Sequence, residues 1–224
     1  MSGMPLRREV LATDEIYHVF NRSVANADIL TNRRTLHRML ALLEYYRLKQ
    51  RLRYSKFITL PKEQRTRYFK EMESYPKLVD VYTFALMPTH YHLLIKQVYD
   101  NGIVQFIANI QNSFAKFFNL KWDRHGALFQ NPFKTKWVQT DEELLHISRY
   151  IHLNPVTSYL LGFEDLTDYE WTSFSWYMDE EKNRFLDTSI ILTLAGSRKQ
   201  YRQFVGDRVD YQRELSRIKR LILE

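Results

Sequence analysis

Cysteine is absent from the 224 residues. That excludes disulfides and any thiolate metal site, so a bound metal has to be held by His, Asp, Glu, Asn or Gln. Also missing is any run of the roughly 18 consecutive apolar residues that a membrane span requires. The first ten positions carry Arg7, Arg8 and Glu9 with no apolar core behind them. They do not read as a secretory signal, and a cytoplasmic protein with no membrane partner is expected. There is no internal repeat and no low-complexity tract. Acidic residues are the minority charge, 26 against 33 Lys and Arg, for a formal charge of +7 and a pI near 9.4. That balance suits a polyanionic partner without specifying one.

Aromatic residues, by contrast, are plentiful: 15 Tyr, 14 Phe and 4 Trp. Rings beside basic side chains can stack on the bases of a single strand, although most large apolar side chains are expected in the core. Residues 15–22 (EIYHVFNR) read as a first strand with an exit loop after it. From Asn32 to about Arg51, Leu36, Met39, Leu40, Leu43 and Tyr46 recur at helical spacing. Residues 56–70 form a charged connection with a short helix. Two apolar runs, residues 78–87 (LVDVYTFALM) and 90–98 (HYHLLIKQV), flank Pro88-Thr89 and predict a hairpin. A long helix follows Asn101-Gly102, its apolar face built from Ile103, Phe106, Ile107, Ile110, Phe114, Phe117 and Phe118.

Residues 126–138 read as a loop and short strand carrying Lys134 and Lys136. Thr140 and Glu143 then form a capping-box pattern that starts another helix, expected to stop near Asn154 because a proline disfavours helical geometry at the residue before it. Beyond Val156 the chain is aromatic and acidic, then basic and helical from Ser197. The reading is therefore a domain over residues 1–156 and a C-terminal helical extension over 157–224.

Two spacings carry chemistry. His90 and His92 are two apart in a predicted strand, where alternate side chains share a face, so both imidazoles can reach one divalent ion. The same spacing also fits two strand histidines at a surface or interface. Tyr150 and Asn154 are four apart on a predicted helix, so phenol and amide share a side. A tyrosine is a possible covalent nucleophile, but spacing does not single this one out among 15. His146 and His152, on the same helix, are expected to face solvent or pack at its ends.

The segments MPTHYHLLI (residues 87–95), GALFQ (126–130) and RYIHLNPV (149–156), with YHVFNRSV (17–24) ahead of them, occur in an order that resembles the REP-associated tyrosine transposases of the His-hydrophobic-His superfamily. The resemblance spans roughly residues 14–178. It implies an α+β fold, a ferredoxin-like antiparallel sheet with helices packed on one face. It implies that His90 and His92 bind a divalent metal, Mg or Mn, that Asn154 is the third ligand, and that Tyr150 is the nucleophile. The implied activity is nicking and joining of single-stranded or hairpin DNA through a 5′-phosphotyrosine. Tyr91 departs from the bulky hydrophobe expected between the histidines, and Asn131-Pro132 stands where many relatives carry arginine. Arg22, Lys116, Lys134, Lys136 and the basic C-terminal helix are the expected phosphate contacts. Monomer and homodimer stay open, since relatives differ in whether tyrosine and histidines come from one chain or two. Two other readings compete: a non-catalytic single-stranded nucleic-acid-binding module and a metal-dependent hydrolase that releases free ends.

Overall fold

The computed structural model describes residues 10–209. The alternation in the first segment becomes strand β1 (Ile16–Arg22). Helix α1 (Arg33–Tyr46) follows, with the Asn32 side chain accepting from the Thr35 amide. It stops short of Arg51 because the chain turns out to meet the sheet: the Arg47 carbonyl accepts from Leu78 and Val79, and Leu48 bridges to Lys77. The charged connection holds two helices rather than one, α2 (Tyr54–Phe57) and α3 (Lys62–Met72), the second starting after Pro61.

The predicted hairpin forms as β2 (Val79–Met87) and β3 (His90–Gln97), with Met87 opposite His90. Helix α4 (Gly102–Lys121) begins where a Cβ on Gly102 would lie 2.2 Å from the Leu78 carbonyl oxygen, an approach open only to glycine. Strand β4 (Lys134–Val138) and helix α5 (Asp141–Thr157) come next, followed by α6 (Phe174–Met178), α7 (Ser189–Ala195) and α8 (Arg198–Gly206).

The strands order as β2-β3-β1-β4, every neighbouring pair antiparallel. This is the ferredoxin-like arrangement, an α+β fold in which β1, α1 and β2 make a βαβ unit split by β3. Strand alternation gives the two sheet faces different work. Tyr17, Val19, Tyr91 and Leu93 point to the side covered by α4, where the Tyr91 hydroxyl accepts from Gln111 at 2.7 Å. Tyr91 is therefore a core residue with a satisfied hydroxyl, and its departure from a plain hydrophobe is accommodated there.

His18, Phe20, His90 and His92 occupy the opposite face, and α5 lies over it. The sheet is thus covered on both sides, not on one as expected. Burial of Leu144, Ile151, Leu153 and Val156 on α5 supplies the reason: this helix has its own apolar surface to bury.

Residues beyond α5 pack onto the same body. The Leu86 amide donates to the Trp171 carbonyl and the Ser173 amide to the Phe84 carbonyl, so this stretch runs along the edge of β2. The remaining basic and apolar positions foreseen on the C-terminal helix, from Arg213 to Ile222, lie outside the described residues.

Candidate active site

Helix α5 starts as its sequence requires: Thr140 Oγ1 accepts from the Glu143 amide at 3.1 Å, and the Glu143 carboxylate accepts in turn from the Gln139 amide at 2.9 Å. It does not stop at Asn154. Pro155 sits inside its last turn, and the helix continues to Thr157. Proline has no amide to give the Ile151 carbonyl. The Asn154 side chain fills in, its Nδ2 donating to the Tyr150 carbonyl at 2.9 Å and lying 3.5 Å from that of Ile151. Its Oδ1 is left as an acceptor for another partner.

Tyr150, one turn earlier, projects over the sheet. Its ring meets the His92 ring edge-on at 5.6 Å and the His18 ring at 5.9 Å between centroids. His90 and His92 are 5.1 Å apart on the same face. Together with Asn154, Arg22 and Lys134 they line an open cleft of about 860 Å³. All of these groups belong to one chain.

The imidazoles are arranged by their neighbours. His90 Nδ1 lies 2.9 Å from Thr89 Oγ1, and His92 Nδ1 lies 2.9 Å from His18 Nε2. Each of the pair therefore has Nε2 left for a ligand. Burial pushes the His90 pKa down to about 4, with the Arg22 guanidinium adding to the effect. His92 is held well below the usual range by burial and then by its histidine neighbours and Arg22. Both rings are consequently neutral at neutral pH, the state in which imidazole binds metals. Burial raises the Tyr150 pKa, while the Asn154 amide and Arg22 pull it the other way.

Among the described residues, no group of three His, Asp or Glu side chains is arranged to hold a metal ion. His18 is the third histidine nearby, and its Nε2 is engaged by His92 rather than turned into the cleft. The side chains that could hold a divalent ion in the cleft are the two imidazoles and the Asn154 carboxamide oxygen, a mixed nitrogen and oxygen set.

The expected phosphate contacts separate. Arg22 and Lys134 border the cleft. Lys136 stands opposite His18 in register and pairs with Glu143 at 3.3 Å. Lys116, on α4, lines a different cleft of about 850 Å³ with Asn112 and Arg124, across the sheet from the histidines. His152, expected to face solvent or pack at an end of its helix, is fully buried, its Nε2 2.6 Å from Ser173 Oγ and its Nδ1 2.8 Å from the Tyr201 hydroxyl. The sequence reading missed His18 altogether. The signal was present, since alternation in YHVFNR puts His18 on the face opposite Tyr17 and Val19.

The ferredoxin-like sheet presents a histidine pair to a tyrosine on the covering helix, and likeness to known proteins supports the class of DNA transposases. More narrowly, residues 46–154 match the family model for IS200-like transposases. This segment, just under half of the chain, contains both histidines, Tyr150 and Asn154. No curated protein matches the chain. Among solved structures, a REP-associated tyrosine transposase bound to a REP hairpin is similar over 83% of this chain and 94% of its own, with a TM-score of 0.53 and 13% identity. At that identity the likeness speaks to the fold. Among the described residues, no helix is long and apolar enough to cross a membrane.

Proposed function

We propose that this transposase nicks and rejoins single-stranded DNA at hairpin sequences, with Tyr150 as the nucleophile. The observation that carries the reading is the placement of Tyr150 over His92 in one chain, 5.6 Å between rings, with Asn154 one turn on. Tyr150 Oη attacks the scissile phosphorus; the Oη–P bond forms as the P–O3′ bond breaks, the phenol proton passes to solvent, and the 3′ oxygen leaves as a hydroxyl. The product is a 5′-phosphotyrosine, which a 3′-hydroxyl can attack in the reverse sense to join a strand. A divalent ion held by His90, His92 and Asn154 would supply Lewis-acid polarisation of a phosphate oxygen. Arg22 and Lys134 at the cleft margin hold the phosphate chain and favour the phenoxide. The hairpin bound by the structurally similar transposase supports a hairpin as substrate here.

Incubation with Mg²⁺ and single-stranded hairpin DNA from the flanks of the gene tests this. The expected result is a protein-DNA adduct, stable to denaturation, whose digested peptide carries DNA on Tyr150. Tyr150→Phe is expected to keep its fold and its hairpin affinity and to form no adduct. Free ends without an adduct would favour a hydrolase, and binding without cleavage a non-catalytic module. An adduct on Tyr159 or any other tyrosine would overturn the assignment of the nucleophile.

A further inference from the structure

We propose that His18 is a positioning residue for the metal site: its Nε2 accepts a hydrogen bond from Nδ1–H of His92 and locks His92 into the tautomer that can ligate a metal. This rests on reading His90 and His92 as the metal-holding pair. His18 lies on β1, next to β3, and is buried. Its ring stacks on His92 at 5.1 Å and 22° and lies 5.0 Å from Phe20, the residue directly opposite His92.

The 2.9 Å separation between His18 Nε2 and His92 Nδ1 admits one proton between two nitrogens, and there are two ways to place it. If His18 donates, neutral His92 carries its own proton on Nε2, and that nitrogen has no lone pair for a metal. If His92 donates from Nδ1, its Nε2 lone pair is free and His18 carries its proton on Nδ1. Only the second arrangement is compatible with ligation. His90 needs no such partner from another strand, because Thr89, its neighbour in the chain, engages its Nδ1. His18 also meets the edge of the Tyr150 ring, so one side chain orients the inner histidine and borders the tyrosine.

The test compares the full chain with His18→Phe, which keeps a ring and removes the acceptor, and His18→Gln, which restores an acceptor near the Nε2 position. Mn²⁺ affinity is read by electron paramagnetic resonance, and hairpin DNA affinity is measured alongside. His18→Phe is expected to weaken Mn²⁺ about 10- to 100-fold, His18→Gln to recover most of the loss, and hairpin affinity to stay unchanged in both. Equal Mn²⁺ binding by His18→Phe and the unsubstituted protein would overturn the inference and spare the metal reading, as would an equal loss in both variants. No Mn²⁺ binding by the unsubstituted protein would remove the metal reading and this inference with it. Should His18→Phe fail to fold, long-range ¹H–¹⁵N spectra of the unsubstituted protein loaded with diamagnetic Zn²⁺ decide the point: protonated Nδ1 on His18 supports the proposal, and protonated Nε2 overturns it.

Discussion

The phenol of Tyr150 is protonated at neutral pH, since burial lifts its pKa above the ordinary value and Arg22 and Asn154 only partly oppose this. The imidazoles beside it are shifted in the opposite sense, toward the neutral form. A histidine is charged below its pKa, so lowering that pKa extends the neutral, metal-competent form toward acid. Mn²⁺ affinity is therefore expected to stay nearly flat from pH 8 to about 5 and to be lost as His90 protonates near its pKa of about 4. A pH series of Mn²⁺ titrations checks this. Affinity that begins to fall at pH 6.5, the value of an unshifted histidine, would contradict it.

Helix α5 has two working sides. One holds Tyr150 and Asn154 over the sheet. The other holds His152, hydrogen-bonded to Ser173 beside β2 and to Tyr201 on α8, whose hydroxyl also donates to Ser148. Arg149 adds a bond to the Phe204 carbonyl and lies over the Phe204 ring at 4.1 Å. These contacts fix how α5 is turned above the histidines. Tyr201→Phe removes one hydroxyl and leaves His152 Nδ1 and Ser148 without that partner in a dry interior. A loss of about 1–3 kcal/mol in urea unfolding is expected, with adduct formation retained at temperatures where the variant is folded. An unchanged unfolding midpoint would show that the network does not hold the helix.

At the scale of the whole molecule, the described basic residues divide into those held in ion pairs and those that border the cleft. On α8, Arg198 pairs with Glu180 and Arg202 with Glu164 at 3.3 Å, which makes the described part of that helix a packing element. Arg22 and Lys134 border the cleft instead. Arg22→Ala and Lys134→Ala are each expected to reduce the slope of log affinity against log salt for hairpin DNA by about one, and Lys116→Ala, across the sheet, to leave it unchanged. A slope that moves with Lys116 and not with Arg22 would put the DNA on the other face. Stability should also depend on pH. His18 at about 4 and His152 at about 3 are both depressed by burial, so the unfolded chain takes up protons first as pH falls below 6.5. The melting temperature is expected to be level above that pH and to decline from 6.5 toward 4, since each tenfold loss of proton affinity on folding costs about 1.4 kcal/mol per histidine once the unfolded chain is protonated. His152→Phe should start lower and decline less steeply.

What was legible from sequence alone is what short-range geometry controls. Period-two alternation put His90 and His92 on one face, a four-residue spacing put Tyr150 and Asn154 on one side of a helix, and Thr140 with Glu143 marked where that helix begins. The hairpin and the long helix after Gly102 were readable for the same reason. Tertiary structure decided the rest. His18 reaches His92 only because β1 lies beside β3, 74 residues apart in the chain, and Tyr201 reaches His152 across 49. It also separated Lys116 from the other lysines by placing α4 behind the sheet, whereas the passage of α5 through Pro155 goes with a local contact, the Asn154 side-chain amide reaching back to the Tyr150 carbonyl. Local sequence fixes which side of its own element a residue occupies, whereas which elements then face each other is settled by burying all their apolar faces at once.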